Sequence, residues 1–87
     1  MALPAADLIE AGLRDLESNV ESAPALLVSI GAPRLRRVGI HVEHPIPTPE
    51  HRLYRLLAAE DARSAHSRYN ALIRRLVSFE RAAECAN

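Results

Sequence analysis

The sequence predicts a small α+β domain in the order helix, strand, strand, long helix. Three observations predict it. Near the N-terminus Ala6, Ile9, Leu13, Leu16 and Val20 recur at spacings of three and four, the stripe of an amphipathic helix. Further on, Val38, Ile40 and Val42 alternate with Arg37, Gly39, His41 and Glu43, which is the period of a half-buried strand. Residues 50–87 contain neither glycine nor proline, while the chain as a whole holds three glycines and six prolines. An all-α helical bundle is the alternative if residues 25–44 are less extended than their alternation suggests.

The first helix is expected over about residues 4–21. Pro4 suits a first turn, and Asp7 and Glu10 sit near the positive end of the helix dipole. Leu8 widens the apolar stripe, and Glu10 is placed for an i,i+4 pair with Arg14. Gly12 either costs about 1 kcal/mol against alanine or admits the close approach of another element. Glu21, Ser22, Ala23 and Pro24 close the helix.

A hairpin is expected over about residues 25–44. Residues 25–30 are a short apolar run, and residues 31–34, Gly-Ala-Pro-Arg, supply a turn before the alternating segment. A lone hairpin is barely stable in water, so its Val38, Ile40 and Val42 face must rest on a helix or on a partner. Pro45, Pro47 and Pro49 then make a stiff connector over 45–49. Thr48 reads as an N-cap, with Pro49 at the first helical position.

The last element is expected as one helix over about 49–85, since no breaker interrupts it. At that length it would reach about 55 Å, whereas a chain of this size has a radius of gyration of about 12 Å. It must therefore kink, protrude or pack on another copy. Leu53, Leu56 and Leu57 form one apolar face. Ala62, Ala65, Tyr69, Leu72, Leu76, Phe79 and Ala83 follow heptad spacing on a face about a quarter turn away on an ideal wheel. These seven residues are the expected oligomer interface, flanked by Arg68, Arg74, Arg75 and Arg81 among Glu80 and Glu84. A homodimer is the expected assembly, in which the C-terminal helices, helix 1, or both share a common core.

Composition narrows the function classes. Eighty-seven residues make a single domain, and chains this short often gain stability by associating. Cys85 is the only cysteine, so there is no disulfide framework or paired-cysteine metal motif. Residues 1–33 hold five acids and one arginine, net −4. The remainder holds ten arginines and six acids, net +4. The balance is zero, which is not the strongly basic footprint of a nucleic-acid binder. Every basic residue is an arginine in an alanine-rich chain, a bias expected of a GC-rich bacterial source. There is no apolar run long enough to span a membrane, and no signal-peptide pattern at the start. A cytoplasmic setting is expected.

Three constellations bear on chemistry. His41, His44 and His51, with Glu43 and Glu50, are the metal candidates. Against them, His41 and His44 point to opposite faces of a strand, and no metal-binding helix motif is present. Arg34, Arg36, Arg37, Arg52 and Arg55 are the candidates for a phosphorylated ligand or nucleic acid. There is no glycine-rich phosphate loop, and Glu43 and Glu50 dilute the patch. His66 lies among Asp61, Ser64, Ser67 and Tyr69, but there is no nucleophile elbow to make a triad of them; it is expected to line a helix interface. No cofactor is called for. The function these residues support is a small non-enzymatic interaction or accessory protein that self-associates through helices. The alternative is an arginine-based binder of nucleic acid or a phosphorylated ligand.

Overall fold

The computed structural model describes residues 3–86, and within them the chain forms four helices and no strand. They are α1 (Ala6–Glu17), α2 (Ala23–Arg37), α3 (Pro49–Glu60) and α4 (Ala65–Ala86). The α+β expectation is thereby overturned. Both halves of the expected hairpin are replaced, the first by α2 and the second by a turn and an irregular segment.

α2 is the centre of the bundle, and the other three helices all pack against it. Its residues Ala25, Leu26, Leu27, Val28, Ser29, Gly31, Ala32 and Leu35 are buried. A helix buried nearly all round has no apolar stripe, so its sequence shows a run instead of a helical period. Pro33 lies inside it and cannot donate to the Ser29 carbonyl. An internal proline costs about 3 kcal/mol. Leu26, Leu27, Val28 and Leu35 are fully buried, each worth roughly 2 kcal/mol, so packing outweighs the breaker.

The alternating segment fails as a strand because Gly39 stops a helix. Gly39 has φ 88. Its N–H donates to Arg36 O at 3.1 Å, and the Ile40 N–H donates to Leu35 O at 2.9 Å. These two reverse bonds make a Schellman stop, which favours glycine at the left-handed position. α1 ends the same way one helix earlier. Asn19 has φ 59, with Asn19 N–H to Leu16 O at 3.1 Å and Val20 N–H to Asp15 O at 2.8 Å. α1 is accordingly shorter than the expected 4–21, and Val20 lies beyond it, 48% exposed.

Ser22 joins the two helices. Its hydroxyl accepts from the Ala25 N–H at 3.2 Å as the N-cap of α2 and donates to Asp15 Oδ2 at 2.6 Å. Around Gly39 and beyond it, Val42 is buried and Val38, Ile40 and Ile46 are partly so. The alternation thus marks the inward side correctly, with no paired strand. Ser29 anchors this segment: its hydroxyl donates to Ala25 O at 2.8 Å and accepts from the Ile46 N–H at 3.0 Å. Ser29→Ala strands that amide, so it is expected to lower stability by about 1–2 kcal/mol. Urea titration together with faster hydrogen exchange at the Ile46 amide checks this.

The expected 49–85 helix is broken. Pro49 does open α3, but Thr48 sits at φ 46 and its hydroxyl donates to Pro47 O at 2.8 Å, so it does not cap. After Glu60 the chain turns through residues 61–64. Asp61 leaves helical geometry at φ −160, ψ 102. Its Oδ1 accepts from the Arg63 N–H at 3.1 Å, and its Oδ2 accepts from the Ser64 hydroxyl at 3.0 Å. An aspartate whose side chain bonds the backbone two residues on offers the chain an alternative to the helix without glycine or proline. α4 then lies beside α3, with the Tyr54 and Tyr69 rings 5.8 Å apart. The result measures 38 × 25 × 19 Å, and the helix too long for its domain is folded in two.

Candidate interaction surface

The expected oligomer seam lies mostly inside the subunit. Ala65, Leu76, Phe79 and Ala83 are buried in the common core, and Tyr69 and Leu72 are half-buried against it. Ala62 is exposed in the turn between α3 and α4. In this fold the four buried residues are covered by the chain itself and are not available to a second copy.

The seam also carries a group that its flanks concealed. Glu80 has a side chain only 3% exposed, 3.6 Å from the Arg34 guanidinium, which in turn lies 3.7 Å from Glu84. Burial pushes the Glu80 carboxyl above its ordinary value of 4.5; Arg34 opposes the shift and Glu84 adds to it. The signal was present in the spacing. Glu80 is four residues after Leu76 and three before Ala83, so the heptad face includes it. Gly31 of α2 makes room there, since a Cβ at that position would lie 3.0 Å from a Glu80 carboxylate oxygen.

The arginine cluster does not converge. Arg34 is tied to α4 through Glu80 and Glu84. Arg52 grips Glu21 with two hydrogen bonds, Nε to Oε2 at 3.0 Å and Nη2 to Oε1 at 2.5 Å. That fork holds the Glu21 carboxyl below its ordinary range and raises Arg52. Arg36, Arg37 and Arg55 are exposed and make no ion pair among the described residues. Arg75 reaches Asp7 at 3.8 Å, so acidic helix 1 does meet the basic remainder.

The metal candidates also separate. His41, His44 and His51 are exposed, and His41 lies 3.8 Å from Glu43. Among the described residues no group of three or more histidine, cysteine or acidic side chains is arranged to hold a metal ion. His66 is exposed at the edge of the Tyr54 ring, 6.4 Å between centroids, with Asn70 at 3.3 Å. Burial, with Glu50 nearby, raises the Tyr69 hydroxyl. Asp61, Ser64 and Ser67 are occupied in the turn, where Ser67 donates to Ser64 O at 3.1 Å. Cys85 is an exposed free thiol.

One concavity stands out. Leu13 and Leu16 of α1 floor an open groove of 560 Å³, closed on its other side by His41, Glu43 and His44 and rimmed by Glu17 and Asn19. A smaller recess is lined by Arg36, His41, Val42, Glu43, His44 and Pro45. His41, Glu43 and His44 thus line both recesses, with Glu17 beside the larger and Arg36 beside the smaller. The groove was not visible in the sequence, because it exists only where α1 and the 41–44 segment come together in the fold.

Among the described residues no helix is long and apolar enough to cross a membrane. No protein-family model, curated protein or solved structure matches this chain.

Proposed function

We propose that this chain is a small non-enzymatic interaction protein that self-associates. The observation that carries the proposal is the position of α1. It packs chiefly on α2, with Ile9 buried and Leu8, Leu13 and Leu16 partly buried against the core. Of these, Leu13 and Leu16 line the groove. Apolar side chains gathered in a concavity with a charged rim are what a docking surface offers. A chain of this length also has little core to spare, so covering that strip adds usefully to its stability. A cytoplasmic setting belongs to the same proposal, supported by the single exposed thiol.

Size-exclusion chromatography with light scattering tests the reading. The expected result is a particle of twice the 9.6 kDa chain mass. A 9.6 kDa particle at every concentration, including those far above micromolar, overturns self-association. Arginine-based binding of a polyanion is the second reading, and it rests on the uncommitted Arg36, Arg37 and Arg55. It requires affinity for a phosphate-rich polymer that falls steeply with salt.

A further inference from the structure

Two helices of this chain carry the same pattern in opposite sign. On α1, Glu10, Leu13 and Glu17 stand at spacings of three and four. On α4, Arg74, Val77 and Arg81 repeat those spacings with arginine in place of glutamate. Residues so spaced share one helix face. We infer that α1 of one copy docks on α4 of another, with Val77 against Leu13 and the two arginines against the two glutamates. This rests on the self-association reading above and names the faces that meet.

The fold leaves both faces uncommitted. Glu10, Glu17, Arg74 and Arg81 are exposed, and none forms an ion pair among the described residues. Neighbouring charges on the same helices are taken, Asp7 with Arg75, Asp15 by the Ser22 hydroxyl and Arg68 with Glu60. Among the described arginines without an ion pair, Arg74 and Arg81 are the two that lie seven residues apart on one helix. Glu10 and Glu17 are the corresponding two among the acids. Val77 is partly exposed and lies outside the apolar cluster of the core, whereas Ile73, one turn before it, packs against that cluster. Leu13 is partly exposed as well, and it lines the groove together with Glu17.

Charge selects the occupant. The groove holds two carboxylates, Glu17 on α1 and Glu43 on the 41–44 segment. An acidic groove with an apolar floor suits a helix that presents arginines around an apolar side chain. A second α1 is the wrong partner, because α1 carries Asp7, Glu10, Asp15 and Glu17 against Arg14 alone. Like charges brought together at an interface are costly. Within the subunit α1 reaches α4 through Asp7 and Arg75 at 3.8 Å, and the four charges of the matched pattern stay unpaired. Their counterpart can come only from another molecule, and a second copy supplies it in sign and in spacing. The pattern reads charge, apolar, charge, so acid meets arginine at both ends whichever way the two helices run. The faces are unlike, so each contact uses α1 of one copy and α4 of another, and a closed assembly uses every face once.

Sedimentation equilibrium on the full chain decides the matter, with circular dichroism confirming that each variant stays helical. Two double variants reverse one face each, Glu10→Arg with Glu17→Arg, and Arg74→Glu with Arg81→Glu. Each alone is expected to weaken association about a hundredfold in Kd, because its contacts then join like charges. An equimolar mixture of the two is expected to recover association, because every contact between unlike variants again joins opposite signs. Val77→Asp is expected to weaken wild-type association about tenfold. Variants that stay apart when mixed overturn the inference, as does association at wild-type strength in either double variant alone. A wild-type oligomer indifferent to both reversals overturns these faces while leaving self-association standing. A wild-type monomer overturns both this inference and the reading it rests on.

Discussion

Gly12→Ala is expected to destabilise the protein by about 3 kcal/mol, although alanine is the better helix former. A Cβ at Gly12 would lie 2.4 Å from the Pro24 carbonyl oxygen and 2.8 Å from a Val28 methyl. The first of these is backbone at the start of α2, which Ser22 and Asp15 hold in place. Helices α1 and α2 must separate to admit the methyl, and that separation withdraws Ile9 from the core. For a domain of this size the loss corresponds to about 15 °C in Tm. Thermal unfolding followed by circular dichroism measures it. Val28→Ala on the same background relieves only the side-chain contact, so it should fail to rescue. A rescue by that second change would show that the backbone approach is not the constraint.

Arg34→Ala is the second large effect, expected at about 2 kcal/mol at neutral pH. The guanidinium is half-exposed, and an exposed ion pair by itself contributes little. The cost arises at the other partner, because Glu80 remains buried with Glu84 as its charged neighbour. Glu80→Gln should therefore restore most of the stability lost in Arg34→Ala. In the otherwise unchanged protein, Glu80→Gln is expected to stabilise. The pH dependence follows from the raised Glu80 carboxyl. The folded state holds this proton more tightly than the unfolded state does, so stability falls as pH rises from about the ordinary value of 4.5. The advantage of Glu80→Gln should be small below that pH, grow above it, and level off once the folded carboxyl has ionised. Urea midpoints across that range provide the readout. An advantage that does not change with pH would assign the effect to packing.

Much of the fold can be read in the residues. The spacing of Ile9, Leu13 and Leu16 places α1, and Gly12 carries its own explanation, the close approach of another helix. The inward side of Val38, Ile40 and Val42 is right, whereas Leu53, Leu57, Leu76 and Phe79 all enter one core cluster instead of serving two partners. The failures have separate causes. α2 is buried nearly all round as far as Ala32, so burial erases the period by which a helix is recognised. Gly39 sits where an alternating pattern has a polar residue, yet its positive φ ends a helix. Arg34, Arg36 and Arg37 immediately before it form a basic last turn, a cue for a helix C-terminus that period-two counting passes over. Asp61 breaks the long helix through a side-chain bond to backbone, which composition does not register. The groove is less legible still, because its two sides come from segments more than twenty residues apart.

The placing of α2 also has a kinetic consequence. α1 with α2, α2 with α3 and α3 with α4 are neighbours in sequence as well as in space. Each of these dockings closes a short loop, and the entropy lost in closing a loop grows with its length. The contact of α2 with α4 and the Asp7–Arg75 pair of α1 with α4 span long stretches of chain, and α3 helps bring α4 to the others. Such a topology folds through a succession of local steps, in the fast regime typical of helical domains. The docking that closes a long loop onto α2 is the one that seats Glu80 beside Arg34 and Gly31.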